Sequence, residues 1–315
     1  MKRYAWPILI LGACTVREPK VPRAAAPSQP TRPASTAPAS EPVTDGVRVL
    51  ELTSTAELVT PASSEYAEVR LAVSPDGATM LWGSTNRPGG AGGWDVWLSR
   101  YTGTAWSAPS SAGFNSPGND FDPAFSPDGK YVYFFSNRAG GLGGDDLYRA
   151  AVVLDGFGAA EHLDGAVNSP GSEWAPTPLA DGSLLFASDG RGGAGRHDLF
   201  VAAAAGTGFA PAVALAGELN TSADELDAAM LANGSLVFAR STDVDHDPIA
   251  LFFAARTSGR YDVGTVLTGA VNVEGGFTLG PSTDPGDPSV LYFSGQRPEL
   301  SAGRSDLYRI GYRIR

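Results

Sequence analysis

The 315-residue chain contains only one cysteine and three histidines. A single cysteine excludes a disulfide-held scaffold and any zinc site built from several cysteines. Lys and Arg number 23 against 34 Asp and Glu, which gives a net charge of −11. This acidic balance excludes the basic face that a nucleic-acid-binding domain needs. Charged residues make up only 18% of the chain, so a coiled coil is excluded, while 43% hydrophobic residues suffice for a sizeable core.

Motifs for several chemistries are also missing. The Gly-x-Ser-x-Gly pattern of a nucleophile elbow does not occur. The three glycine-rich segments at 87–95, 138–146 and 191–198 lack the Lys-Ser/Thr that follows a phosphate-binding loop, so we interpret them as long hairpin turns. The three histidines fall in different parts of different repeat units, so no metal triad or Ser-His-Asp arrangement can be argued from them.

The N-terminus has the pattern of an export signal. Lys2 and Arg3 precede an apolar stretch at 5–11 that is too short to span a bilayer. The following Leu-Gly-Ala-Cys resembles the bacterial lipoprotein signal, which implies that Cys14 is lipidated and becomes the mature N-terminus. Thr15, rather than aspartate, follows it, so the resemblance implies an outer-membrane anchor. The alternative is a free cysteine beside an ordinary signal peptide.

A spacer rich in Pro, Ala, Ser and Thr follows the cysteine. It covers 14–46 and has almost no large apolar residue, so it cannot bury enough surface to offset the entropy of ordering it. Its prolines favour a semi-extended tether, and roughly 30 residues at ~3 Å each reach up to ~90 Å. We therefore expect a signal peptide at 1–13, a disordered tether at 14–46 and one folded domain at 47–315.

The remainder of the chain is one repeat of about 52 residues. Ser-Pro-Asp-Gly occurs at 74–77 and again at 126–129, and Asp-Gly and Asn-Gly follow at 181–182 and 233–234. Each is followed by an apolar run, and Asp-Gly or Asn-Gly between apolar runs is a strong hairpin signal. The predicted repeats are 63–117, 118–170, 171–222, 223–274, and 275–315 completed by 47–62.

This pattern predicts an all-β fold. Four short strands per unit, repeated radially, are typical of a β-propeller blade. The fifth unit ends after its third strand, so we expect an N-terminal strand within 47–60 to complete that blade and close the ring. The sequence therefore predicts a five-bladed propeller with four-stranded blades.

The segment 126–150, SPDGKYVYFFSNRAGGLGGDDLYRA, resembles the WD40-like repeat of TolB-type β-propellers. The resemblance covers about 63–315. It implies an extracytoplasmic envelope protein that binds a protein or glycan partner and is not an enzyme.

Two sets of repeated residues are the predicted site positions. An Arg before each glycine-rich turn and an Asp after it predict an ion pair across the hairpin that is missing from the fourth unit. The predicted pairs are Arg87–Asp95, Arg138–Asp146, Arg191–Asp198 and Arg297–Asp306. Acids before the first strand of successive units predict an acidic ring at one mouth of the central channel, where Trp174 would add an apolar contact. These acids are Glu65, Asp120, Glu173 and Glu225.

The leading hypothesis is a non-enzymatic, monomeric envelope lipoprotein whose propeller binds a partner at this mouth, with no cofactor. The first alternative is a glycan-active hydrolase that uses channel carboxylates, because five-bladed glycosidases also place carboxylates near the channel. The second is a calcium-stabilised module, because Asp243, Asp245 and Asp247 alternate as at the start of a calcium loop, although the glycine and the distal glutamate of an EF-hand are absent. The partner, the binding face and a periplasmic or surface-exposed position stay open.

Overall fold

A computed structural model describes residues 48–315, except Gly275 and Pro298. The predicted signal peptide, Cys14 and the tether lie outside the described residues. All regular elements within the described part are β-strands. None of its segments is a helix long and apolar enough to cross a membrane.

Five antiparallel sheets follow one another along the chain. The N-terminal strands are β1 (Leu50–Leu52) and β2 (Glu57–Leu58). Blade 1 contains β3 (Ala67–Val73), β4 (Thr79–Thr85), β5 (Trp94–Arg100) and β6 (Ser110–Ser111). Blade 2 contains β7 (Asp120–Phe125), β8 (Tyr131–Ser136), β9 (Asp146–Val153) and β10 (Gly156–His162).

Blades 3 and 4 each carry a small extra hairpin. Blade 3 contains β11 (Glu173–Pro178), β12 (Leu184–Ser188), β13 (Asp198–Ala202) and β16 (Val213–Ala214), with the hairpin β14 (Ala204–Ala205) and β15 (Gly208–Phe209). Blade 4 contains β17 (Asp224–Met230), β18 (Leu236–Ser241), β19 (Ala250–Ala254) and β22 (Thr265–Val266), with the hairpin β20 (Arg256–Thr257) and β21 (Arg260–Tyr261). Blade 5 contains β23 (Thr278–Thr283), β24 (Val290–Gly295) and β25 (Asp306–Ile314).

The N-terminal strand completes blade 5, as predicted. β1 pairs antiparallel with β25, with Leu50 opposite Ile314, and β2 pairs with the same strand, with Glu57 opposite Arg309. The first and last described strands therefore share one sheet, and this pairing covers an edge that would otherwise be open. The five-bladed, four-stranded propeller is confirmed.

The second strand of each blade carries the core. All five residues of β12 are buried, and β18 and β24 are almost as fully enclosed, because both of their faces pack against neighbouring blades. Predicted Asp-Gly and Asn-Gly turns precede β8 and β18, where Gly129 and Gly234 have φ of 71° and 81°, which only glycine adopts without strain.

The first strand of each blade is the innermost one. β3, β7, β11, β17 and β23 each contact the next in this order, and β23 contacts β3, so they form a ring around the axis. Residues on these strands are therefore the ones that converge at the centre of the propeller.

Candidate functional site at the propeller axis

The acids predicted to line a channel mouth are buried anchors instead. Asp120, Glu173 and Glu225 are each 0% exposed. Their counterpart in blade 1 is Glu68, which lies opposite Ser84 as Asp120 lies opposite Ser136. Glu65 precedes that strand and is exposed, so its assignment to the set was wrong.

Each buried acid ties down the loop that leads into its strand. The Glu173 carboxylate accepts hydrogen bonds from the backbone N–H (2.9 Å) and the hydroxyl (2.5 Å) of Ser169, four residues earlier. Ser64, Ser116 and Thr221 make the same pair of bonds in blades 1, 2 and 4. A carboxylate that is buried and used in this way cannot present charge to a partner, so these residues do not form an acidic mouth.

The predicted arginine–aspartate pairs across the hairpins were also wrong. Two of the arginines instead reach the buried acids of the first strands: Arg138 Nη2 lies 2.5 Å from Asp120 Oδ1, and an Arg87 nitrogen lies 3.8 Å from Glu68. In blade 3 the Arg191 guanidinium donates to the carbonyl of Val167, and burial raises the pKa of Glu173 although the charge of Arg191 opposes the shift. Each arginine also lies over an aromatic ring of its blade, as Arg138 does over Tyr148 at 4.8 Å.

Blades 4 and 5 vary this arrangement. The prediction for blade 4 concerned only the pair across the hairpin; here Arg240 pairs with the acid of the first strand, and its Nε lies 2.7 Å from Glu225 Oε1. Arg240 lies directly opposite Glu225 in the strand pairing, three residues before the position that the repeat pattern predicts for the arginine. In blade 5 a threonine, Thr278, occupies the place of the acid, and Arg297 donates to the carbonyl of Val271.

The aspartates that follow the glycine-rich turns accept hydrogen bonds from backbone N–H groups of those turns. Asp146 Oδ2 accepts the backbone N–H groups of Leu142 (2.8 Å) and Gly143 (3.3 Å), and Asp306 does the same for Ala302 and Gly303. Asp95 and Asp198 bind the same turns in blades 1 and 3. These aspartates face inward onto their own turns because the turns carry N–H groups that no strand partner satisfies.

A ring of residues with positive φ lies two positions beyond the anchor residues. Each inner strand has a register shift at this point, and the residue there has a positive φ. The five residues are Arg70 (42°), Asp122 (46°), Ala175 (50°), Asp227 (36°) and Gly280 (60°). A positive φ is costly for residues other than glycine, and such strain concentrates at functional sites.

Three of these five residues form a charged cluster, which we call the axial cluster: Arg70, Asp122 and Asp227. They are 2%, 6% and 7% exposed. The Arg70 guanidinium crosses from blade 1 to blade 3, where Nη2 donates to the carbonyl of Pro176 (3.1 Å) and the hydroxyl of Thr177 (2.6 Å).

The two carboxyl groups of the axial cluster perturb each other. Burial, together with the neighbouring Asp227 charge, raises the pKa of Asp122 to about 8, although Arg70 opposes the shift. Burial also raises the pKa of Asp227, while Arg70 and a hydrogen bond from the Gly280 N–H (2.9 Å) act to lower it. The pair therefore holds a proton at neutral pH, and Asp122 is the group whose surroundings favour the neutral form.

Trp174 does not stand at an open mouth beside a charged Glu173. It is half-buried, its indole Nε1 donates to Asp145 Oδ2 (3.0 Å), and its ring stacks on that of His197 at 4.3 Å. It belongs to a polar cluster at the junctions of blades 2, 3 and 4.

The acidic turn in blade 4 faces cations of the protein itself. Arg196 lies 2.9 Å from Asp245 and 3.5 Å from Asp243, and His246 Nδ1 lies 2.8 Å from Asp243. Asp247 is exposed. Across the described residues, no group of three or more His, Cys, Asp or Glu side chains is arranged to hold a metal ion. The loop thus offers no ligand set in favour of the calcium hypothesis.

Comparisons with known proteins identify the fold but no family. No family model and no curated protein matches the chain. Among solved structures, an α-L-arabinofuranosidase from Lactobacillus brevis is 13% identical with a TM-score of 0.53, covering 80% of this chain and 92% of that one. A gluconolactonase from Xanthomonas campestris is also 13% identical, with a TM-score of 0.52 and coverages of 82% and 90%.

TolB-type propellers are also among the similar structures. TolB from Acinetobacter baumannii is 15% identical with a TM-score of 0.48, and the match covers 79% of this chain but only 56% of that TolB. The expectation that this chain is not an enzyme was wrong as an inference from its fold, because structures with the same fold include proteins named as enzymes.

Proposed function

We propose that the protein is an exported glycan-active hydrolase whose active site is the axial cluster. The observation that carries the proposal is the pair Asp122 and Asp227, two carboxyl groups held beside Arg70 on strained residues of the inner strands. The anchor acids are alike from blade to blade because they build the fold. The axial position carries aspartate in blades 2 and 4 but arginine, alanine and glycine in the other three, and such variation is typical of a specific site rather than of a repeat.

Hydrolysis of a glycosidic bond requires two carboxyl groups in different protonation states. Asp122, whose pKa is about 8, supplies the acid: it protonates the leaving oxygen as the C–O bond breaks. Asp227, at which Arg70 and the Gly280 N–H oppose the rise in pKa that burial causes, supplies the base or nucleophile, and water provides the hydroxyl that completes the product. Arg70 supplies a positive charge that acts on both carboxyl groups, and its guanidinium is anchored across the axis on Thr177.

The fold supports this choice of chemistry without deciding it. A second protein titled as a glycoside hydrolase has a TM-score of 0.52 to this chain at 10% identity. Likeness at this level shows architecture alone, so the substrate class rests on the paired carboxyl groups.

We also propose that the protein works outside the cytoplasm, anchored to the outer membrane through lipid on Cys14. The support is the basic segment, the short apolar stretch and the Leu-Gly-Ala-Cys sequence at the N-terminus. A glycan of the cell envelope or of the surroundings is within reach of such a protein.

The proposal is tested by assaying the full chain against a panel of aryl glycosides and envelope oligosaccharides. Asp122→Asn and Asp227→Asn should each lower kcat/KM for the substrate that is cleaved by at least 10²-fold. Asp128→Asn is the matched control, because Asp128 is a half-exposed acid on a turn of the same blade as Asp122.

Three outcomes contradict the proposal. If the panel is not cleaved, or if the axial variants retain full activity while folded, the axial cluster is not a hydrolytic site. If oligosaccharides bind without being cleaved, and binding is lost in the axial variants, the site is a glycan receptor instead.

A further inference from the structure

Arg70 carries hydrogen-bond donors that the protein leaves unused. The residue is 2% exposed, and its Nη2 donates to the carbonyl of Pro176 and the hydroxyl of Thr177. The other two nitrogens of the guanidinium, Nε and Nη1, are buried and have no hydrogen-bond partner among the described residues. Almost all buried polar groups in proteins are hydrogen-bonded, and a buried donor without an acceptor is costly. These two nitrogens therefore point to an acceptor that comes from outside the chain.

The guanidinium ends between the blades that carry the two acids of the axial cluster. Arg70 belongs to blade 1 and reaches blade 3, which lies between blade 2 with Asp122 and blade 4 with Asp227. Its charge acts on both carboxyl groups. The other members of the ring of positive-φ residues, Ala175 and Gly280, have no polar side-chain group. Arg70 and the two acids are thus the side chains of this ring that can form hydrogen bonds to a ligand.

Neither acid of the axial cluster serves as the missing acceptor. Nε and Nη1 have no partner and the bonds of Nη2 go to blade 3, so the guanidinium makes no hydrogen bond to Asp122 or Asp227. Turning it toward them would break both bonds of Nη2, and the Arg70 backbone is itself held, because its N–H donates to the Ser294 hydroxyl (2.8 Å). Asp227 already accepts the Gly280 N–H with Oδ2. The two donors therefore stay available in the folded chain.

The balance of charge indicates which kind of acceptor fits. Arg70 contributes one positive charge, and Asp122 and Asp227, which hold one proton between them at neutral pH, contribute one negative charge. A carboxylate or sulfate group added here would place two negative charges beside one positive charge at a buried position, which is costly. A hydroxyl oxygen adds no charge, and it can donate to a carboxylate while it accepts from a guanidinium.

We propose that Arg70 binds the sugar that enters the axial cluster and that this sugar is neutral; the proposal rests on the proposed function, which makes the cluster a glycan site. Oxygens of the sugar accept the N–H groups of Nε and Nη1, and one of its hydroxyl groups donates to Asp227. Arg70 is then a specificity-determining residue that favours neutral glycans over uronic acids and sulfated sugars.

The first measurement compares neutral sugars with their uronates on the unaltered full chain, so it does not depend on whether a variant folds. Calorimetry at neutral pH gives the affinities of glucose, galactose and mannose and those of glucuronate, galacturonate and mannuronate. At least one neutral sugar should bind, and it should bind about tenfold or more tightly than its uronate, because the uronate brings an uncompensated charge. The proposal is overturned if each uronate binds as tightly as its neutral counterpart or more tightly, or if none of the neutral sugars binds saturably.

Arg70→Lys tests the residue itself, because it keeps the positive charge and removes the two free guanidinium N–H groups. It should weaken binding of the neutral sugar about tenfold, whereas Arg256→Lys, at an exposed arginine of blade 4, should leave binding unchanged. Monodeoxy forms of that sugar separate direct contact from a structural role. The hydroxyl that accepts from Arg70 should contribute about tenfold in the wild type and almost nothing in Arg70→Lys. Unchanged binding in Arg70→Lys, or equal losses for every deoxy sugar in both chains, would overturn the proposal.

The outcome for hydrolysis is separate from the outcome for Arg70. Binding of a neutral sugar that depends on Arg70, without cleavage of any glycoside, would refute the hydrolase and keep the sugar site. Cleavage that depends on Asp122 and Asp227, with no preference for neutral sugars, would refute the role of Arg70 and keep the hydrolase.

Discussion

Replacing Asp122 by asparagine should change how the stability of the protein depends on pH. The carboxyl has a pKa of about 8 in the fold against 3.8 for an unperturbed aspartate. Between these values the folded chain holds a proton that the unfolded chain has released. The contribution of this group is therefore fully present below about pH 4 and is lost as pH rises toward 8.

The size of the effect follows from linkage. One extra proton bound by the folded state gives a slope of about −1.4 kcal/mol per pH unit, so the wild-type chain should lose about 2.7 kcal/mol from this group between pH 5 and pH 7. Asp122→Asn cannot release a proton and should lack that loss. Its stability relative to the wild type should therefore rise over this interval.

Urea unfolding of both chains at pH 5, 6 and 7 measures the difference in slope directly. Asp128→Asn serves as the control: hydrogen bonds from Lys130 and Ser126 hold the pKa of Asp128 at about 2, so this group is ionised in both the folded and the unfolded chain between pH 5 and pH 7. Its replacement should therefore change stability by the same amount at each of these pH values and leave the slope unaltered. Equal slopes for the wild type and Asp122→Asn would refute the assignment of a retained proton to the axis.

Three further changes probe other parts of the structure. Deleting 48–60 should lower the free energy of unfolding by about 3 to 6 kcal/mol, because it removes two buried apolar side chains and opens a sheet edge. Thermal unfolding measures this loss against a chain that lacks only 1–47. Equal stability of the two chains would contradict the closure of blade 5 by the N-terminal strands. Arg240→Leu should lower the free energy of unfolding by about 3 to 5 kcal/mol, because it leaves the buried Glu225 without its ion-pair partner. Arg256→Leu, at an exposed site, should lower it by less than about 0.5 kcal/mol. Similar losses in the two variants would refute the role of the Arg240–Glu225 pair. Cys14→Ala should abolish incorporation of radiolabelled fatty acid, and labelling that persists would exclude the predicted anchor.

The repeat made the architecture predictable. The spacing of the Asp-Gly turns defines units of four strands, and a fifth unit that ends one strand early calls for a strand from the other end of the chain. β1 and β2 supply it on β25. These features follow from local turn chemistry and from the need to cover sheet edges, both of which are visible in sequence.

The axial cluster was not predictable by the same reasoning. Self-comparison selects positions that are alike in every unit, and these proved to be anchors such as Glu173. The residues at the axis differ among blades, as Arg70 and Asp122 do. Each inner strand also has a β-bulge at this position. A bulge reverses which side chains face the axis, so alternation along the strand cannot identify Asp122 or Asp227 without the register.

The ion pairs were mispredicted for a related reason. Arg138 and Asp146 are close in sequence across a hairpin, but β8 lies between β7 and β9, so an arginine at its end can turn to either neighbour. The buried Asp120 on β7 offers a carboxylate without another cation, whereas Asp146 is occupied by turn N–H groups. Only the pairing of the strands distinguishes these partners.

The most direct test of the axial site is the pH dependence of kcat/KM on the glycoside that the protein cleaves best. We predict a bell-shaped profile whose alkaline limb falls near pH 8, where Asp122 loses its proton, and the loss of that limb in the residual activity of Asp122→Asn. An alkaline limb that is unchanged in Asp122→Asn, or the absence of cleavage across the panel, would contradict it.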